Sequence, residues 1–209
     1  MSQLNVNTIG ARTGTTVSLA SGHSATEFGG IVKLAQASAT NSNTDLTFDN
    51  FVDNTLYTYY KFTVENVTAT ESSGDNFNAH WRTSGGADIS DTYYNAYYER
   101  DLESGETDST GKTNNDHLNI WGGQNNTAAG AFYGEGSLWC PDNSVARFQI
   151  TASLQNSGGD SMWAERYSMT SSVTGVKGIR FYMNTGTVAT GTVTIYGVKR
   201  WVQHTEIDL

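Results

Sequence analysis

The stretch Val145-Ala146-Arg147-Phe148-Gln149-Ile150-Thr151-Ala152-Ser153-Leu154 decides the fold class. Ala146, Phe148, Ile150, Ala152 and Leu154 fall on one side of a two-residue period, and Arg147, Gln149, Thr151 and Ser153 fall on the other. That is the pattern of a β-strand with one face buried and one face wet.

The same period recurs on both sides of this stretch. In 57–65, Tyr60, Phe62 and Val64 point one way and Tyr59, Lys61, Thr63 and Glu65 the other. Phe77, Ala79 and Trp81 form a core face, with Asn78, His80 and Arg82 outside it. Ile179, Phe181 and Met183 form another, and Val193 with Ile195 a late one, with a bulge or bend expected at Gly197. Turn signals separate the runs: Ser84-Gly85-Gly86, Ser157-Gly158-Gly159-Asp160 and Asn184-Thr185-Gly186. About eight to ten short strands with no helical period between them predict an all-β fold, an antiparallel two-sheet sandwich of jelly-roll type.

Composition agrees. Only 16% of the 209 residues are charged, and the polar positions are mainly Ser, Thr, Asn and Gly. Hydroxyl and amide side chains compete with helical backbone bonds, so strands and turns are favoured. Residues 1–35 lack aromatics apart from Phe28 and are rich in Thr, Gly and Ser. They are expected to form an extended arm for attachment or oligomerisation, with Leu4, Val6, Ile9, Val17 and Leu19 as its candidate interface residues. Residues 36–45 are expected to open the sandwich domain, 36–209, as a linker or exposed loop.

The formal net charge of −9 disfavours phosphate backbones and anionic lipid, so neither nucleic acid nor membrane is an expected partner. Residues 1–10 carry no basic start before an apolar run, and no stretch approaches the roughly 18 apolar residues of a spanning helix. A single cysteine, Cys140, excludes an intrachain disulfide and is expected to be an inert buried thiol.

Chemistry is sparse. His23, His80, His117 and His204 lack the spacing at which neighbours share a metal. No Gly-x-Ser-x-Gly elbow and no phosphate-cradling loop occurs, so no enzyme activity and no cofactor are expected. Residues 99–119 are strongly polar and are expected to form a long exposed loop. Within it Glu99, Asp101 and Glu103 alternate ahead of Gly105, which leaves two readings: a solvated charged face or a calcium site. Aromatics are the one enriched class suited to contact. Tyr94, Tyr97, Tyr98 and Trp121 are the candidate exposed contacts: Tyr93, Tyr94, Tyr97 and Tyr98 cannot all enter one core if their segment is a strand, and Trp121 lies at the end of the polar segment that follows.

Two segments resemble known proteins. Tyr59-Tyr60-Lys61-Phe62-Thr63-Val64-Glu65-Asn66-Val67-Thr68-Ala69-Thr70, followed by Trp81-Arg82-Thr83-Ser84-Gly85-Gly86, resembles a sandwich domain of tailed-phage structural proteins. The closing stretch, 178–183 and 186–198, looks like that domain's last hairpin. The opening Leu4-Asn5-Val6-Asn7-Thr8-Ile9, then Gly14-Thr15-Thr16-Val17, is similar to the starts of marine-phage and cyanophage tail-fibre-like proteins. The resemblance implies a non-catalytic virion protein, tail-fibre-like or a capsid decoration, assembled in the host cytoplasm. Its implied partners are copies of itself, expected as a trimer, and other virion proteins. The alternative is a carbohydrate-binding module that recognises a host surface glycan through exposed Tyr and Trp side chains.

Overall fold

The structure, a computed structural model, describes residues 30–40, 45–70, 75–124, 130–142, 144–155, 161–172 and 174–199. The candidate arm residues Leu4, Val6, Ile9, Val17 and Leu19 lie outside them. Among the described residues there are twelve strands and no helix. They are β1 (Ile31–Thr40), β2 (Asp45–Phe48), β3 (Tyr57–Ala69), β4 (Asp75–Arg82), β5 (Tyr93–Asp101) and β6 (Thr107–Asn115), then β7 (Leu118–Gln124), β8 (Phe132–Trp139), β9 (Arg147–Gln155), β10 (Ser161–Thr170), β11 (Gly178–Met183) and β12 (Val188–Lys199).

Eight strands form one sheet in the order β1-β12-β3-β8-β9-β10-β5-β6, and four form a second in the order β2-β11-β4-β7. Every pairing within the sheets is antiparallel. The all-β antiparallel two-sheet expectation therefore holds, with more strands than the eight to ten expected.

The core forms where the alternating faces meet. Tyr60, Phe62, Val64, Phe148, Ile150, Val193 and Ile195 of the large sheet are buried, as are Leu46, Phe77, Ala79, Trp81, Ile179 and Phe181 of the small one. Phe62 lies 5.8 Å from Phe181, joining the two layers, and Phe181 also packs on Phe77 and Phe48. Phe62 faces Gly136 of β8 across the ladder. A Cβ at that glycine would collide with the Phe62 ring and the Gln149 carbonyl, so the bare backbone is what admits the ring.

Three expectations need correction. Residues 36–40 are not a linker: β1 runs from Ile31 to Thr40, crosses the 35/36 boundary, and belongs to the compact unit Ile31–Leu209. Its small polar residues suit an edge strand that pairs with β12 alone. Residues 99–119 are not a long loop but the β5–β6 hairpin and the start of β7. Asn78 does lie off the core face yet is fully covered, with Tyr182 and Asn119 as its cross-strand neighbours.

Candidate functional site

The outer face of the large sheet gathers the exposed aromatics. Alternation sends Tyr59 of β3, Tyr133 and Trp139 of β8, Tyr167 of β10 and Tyr98 of β5 away from the core, and Tyr98, Tyr133, Trp139 and Tyr167 are all exposed. Register fixes who neighbours whom. Tyr94 stands opposite Met169, Met169 opposite Arg147, and Arg147 opposite Trp139. One row thus runs across four strands as Tyr94-Met169-Arg147-Trp139, and Trp139 stacks on Tyr59 at 5.9 Å.

Four hollows on this face share lining residues. Tyr94, Trp139, Arg147, Gln149, Tyr167 and Met169 line one of about 550 Å³. Trp139 and Arg147 also line its neighbour of about 620 Å³, which reaches Tyr57 and Pro141. Gln149 joins the first hollow to a third that contains Lys61, Glu135 and Tyr196. Thr63, Glu135 and Thr151 join the third to a fourth beside Tyr133 and Trp163. The adjoining hollows, taken together as a trough over β3, β8, β9, β10 and β5, are linked by these shared lining side chains.

In the first hollow Arg147 is the only charged lining side chain among the described residues. Among the described arginines, Arg82 pairs with Asp49 and Asp88, Arg166 with Glu99, and Arg180 with Asp45 and Asp88. Arg147 and Arg100 have no carboxylate within ion-pair distance among the described residues. The hollow therefore offers flat apolar faces, an amide and an uncompensated guanidinium, a set suited to holding a ligand.

The four candidate aromatics divide. Tyr94 lines the hollow, and Tyr98 lies on the same outer face against Trp163 at 6.1 Å. Tyr97 instead faces inward: its ring lies 4.3 Å from the Arg166 guanidinium, and its hydroxyl donates to Asp108 at 3.0 Å. Trp121 is buried, which overturns its assignment as an exposed contact. A register shift between β4 and β7 pairs Trp121 with Phe77 while Asn119 pairs with Asn78, so the bulge turns the indole inward. There it packs on Phe132 and under Arg166, whose burial pulls its pKa down to about 10.

The acidic segment is used piecemeal. Glu99 pairs with Arg166, Asp108 accepts from Tyr97, and Asp116 contacts the His117 ring. Asp101 accepts from the backbone N–H groups of Glu103 and Ser104 at 2.7 and 3.0 Å, bonds that lower its pKa and shape the β5–β6 turn. Among the described residues no three His, Cys, Asp or Glu side chains converge to hold a metal ion. Cys140 is buried, and desolvation raises its pKa far above the usual thiol value.

Sequence reasoning missed Trp139, Tyr167 and Met169 as site residues, and read Arg147 and Gln149 only as outward-facing. The signal that could have found them is their position on the wet parity of otherwise regular strands.

No family model matches the chain, no curated protein is significantly similar to it in sequence, and no solved structure is significantly similar to it in fold.

Proposed function

We propose that this chain is a non-catalytic structural protein of a tailed-phage particle, a short tail appendage or a capsid decoration, whose sandwich is a jelly roll built to present one broad face. The strand orders support the jelly roll. Without β9, β10, β5 and β6, the sheets read β1-β12-β3-β8 and β2-β11-β4-β7. Each strand then pairs as two interlocked Greek keys require.

The widening of the large sheet carries the functional reading. The β5–β6 and β9–β10 hairpins extend that sheet from four strands to eight while the other remains at four. The added strands bury one face, with Phe148, Ile150, Ala164 and Tyr93 in the core, and their other face sets exposed Tyr98 and Tyr167 beside exposed Tyr133 and Trp139 of β8. In this reading the face makes contacts by shape and buried area, and the segment before β1 attaches the protein to the particle or to sister subunits of a homotrimer. The resemblance of residues 4–9, 59–70 and 178–198 to tailed-phage proteins supports the virion as its place, with assembly in the host cytoplasm.

Cryo-electron microscopy of purified particles with quantitative mass spectrometry tests this. Hundreds of copies on the shell would mean decoration, and tens or fewer at one vertex a tail component. Absence from the particle overturns the proposal. Deleting residues 2–30, which leaves β1 whole, should give a folded protein that no longer assembles.

A second reading, host-glycan recognition, is favoured by one observation: the adjoining hollows of the trough have aromatic side chains along them. Sugar rings stack on such faces. A glycan array with the full chain and Trp139→Ala tests it, with loss of signal in the variant as the expected result.

A further inference from the structure

We infer that the hollow around Arg147 is a subsite for a carboxylate-bearing sugar, the acidic residue of a glycan whose neutral residues lie along the rest of the trough. This inference rests on the glycan-recognition reading.

Charge complementarity selects the occupant. Arg147 is exposed and lines the hollow together with Tyr94, Trp139, Tyr167 and Met169, none of which carries a charge that would compensate it. Guanidinium groups elsewhere on the described chain show what this protein does when a cation is structural. Arg82 meets Asp49 and Asp88 at 2.6 and 2.7 Å, and Arg180 meets Asp45 at 3.0 Å. Arg147, like Arg100, is exposed and stands outside that pattern of covered, paired arginines although the chain carries a net charge of −9, and it is Arg147 that lines the hollow. A planar fork of donors beside aromatic rings matches a carboxylate attached to a ring: the carboxylate takes two parallel N–H bonds while the ring's apolar face stacks. Gln149, opposite Ser137 on the ladder, adds an amide that can bond to hydroxyls.

The rest of the trough points away from a uniformly acidic polymer. Glu135 lines two of the other hollows and Glu65 one, and Glu165 faces outward near Tyr167, whose hydroxyl bonds to it at 2.8 Å. Those carboxylates would repel a charge on every sugar but accept hydrogen bonds from neutral ones. The ligand class is therefore a heteropolysaccharide with one acidic residue among neutral ones in its repeat.

The test uses the full chain against a panel of bacterial capsular and lipopolysaccharide fragments, each presented as isolated and after chemical reduction of its carboxyl groups. Affinities are read by calorimetry at two salt concentrations. The inference expects binding of one or more fragments with isolated acidic residues, weakened at least tenfold by carboxyl reduction and by Arg147→Gln. Arg100→Gln removes the same charge from the same face outside the hollow and should leave affinity within about twofold. Binding that is indifferent to carboxyl reduction or to Arg147→Gln, yet lost in Trp139→Ala, overturns the acidic subsite and leaves glycan recognition standing. Equal losses in Arg147→Gln and Arg100→Gln reduce the effect to general charge and overturn the subsite as well. No binding to any fragment at millimolar ligand overturns both.

Discussion

The two sheets turn different outer faces to their surroundings. On the small sheet charge is matched by charge: Asp49, Arg82, Asp88, Arg180 and Asp45 form one chain of ion pairs. Its rings are stacked, with His80 parallel to Tyr182 at 5.2 Å and the Arg180 guanidinium 4.6 Å from the Tyr182 ring. On the large sheet Arg147 and Arg100 lack such partners among the described residues, and Tyr133, Trp139 and Tyr167 are exposed. Among the described residues, the same antiparallel scaffold thus carries one face whose arginines are ion-paired, although Asn78, His80 Nδ1 and Asn119 Oδ1 there lack hydrogen-bond partners, and one whose arginines, Arg147 and Arg100, are not ion-paired. The first should matter to stability and the second to binding, and substitutions can separate the two.

The largest effect should come from what both faces stand on. Phe181 packs against Phe48, Phe62 and Phe77, so Phe181→Ala removes a ring shared by both layers. A loss of about 3–5 kcal/mol is expected in urea unfolding. A loss under about 1 kcal/mol would mean the sheets are not held by that cluster.

Next comes the ion-paired face. Arg82 donates to Asp49 and Asp88 and also to the Gly86 carbonyl, tying the β4 end to the turn that follows. Its side chain is largely covered, so Arg82→Ala should cost about 2 kcal/mol, more than an exposed pair would. A cost near zero would erase the contrast between the faces.

A smaller effect is tied to pH. Burial lowers the pKa of His80, with Asp88 and Asp116 opposing and Arg180 and His117 adding to the lowering. Tyr182 and Tyr93 complete its surroundings. Because the folded value lies below the unfolded value near 6.5, the unfolded chain takes up the proton first as pH falls. Stability is whole above that value and declines as pH drops through it toward the folded pKa. Urea midpoints measured between about pH 7 and pH 5 should show this slope, and His80→Gln should flatten it. An unchanged slope in the variant would remove His80 as its source.

How much of this contrast could be read from the sequence depended on how one-sided each strand is. β3, β9 and β11 declare themselves because Phe62, Phe148 and Phe181 alternate with polar residues. β1 and β6 were hidden for the same physical reason: as edge strands each pairs on one side only, and their sequences, IVKLAQASAT and TDSTGKTNN, carry weak or no alternation of size and polarity. Trp121 was misplaced because it follows a polar segment, and the bulge between β4 and β7 that pairs it with Phe77 is a property of two strands together. The hollow was illegible for a related reason. Tyr94, Arg147, Trp139 and Tyr167 are brought together by the register of four strands, which no single segment encodes.

The smallest expected effect on stability is the one that most sharpens the comparison. Tyr167 is 43% exposed, stands on the wet side of β10, and has its hydroxyl bonded to Glu165 on its own strand. Tyr167→Ala removes surface that folding has left in water, so unfolding should change by no more than about 0.5 kcal/mol. Nothing in the fold therefore requires a large flat ring at this position, next to Gln149 across the ladder and in the hollow with Arg147. If the variant is as stable as the parent but loses the glycan binding proposed above, the ring is there for contact. If it loses about 2 kcal/mol or more, the outer face is structural like its counterpart, and the division of roles between the two sheets fails.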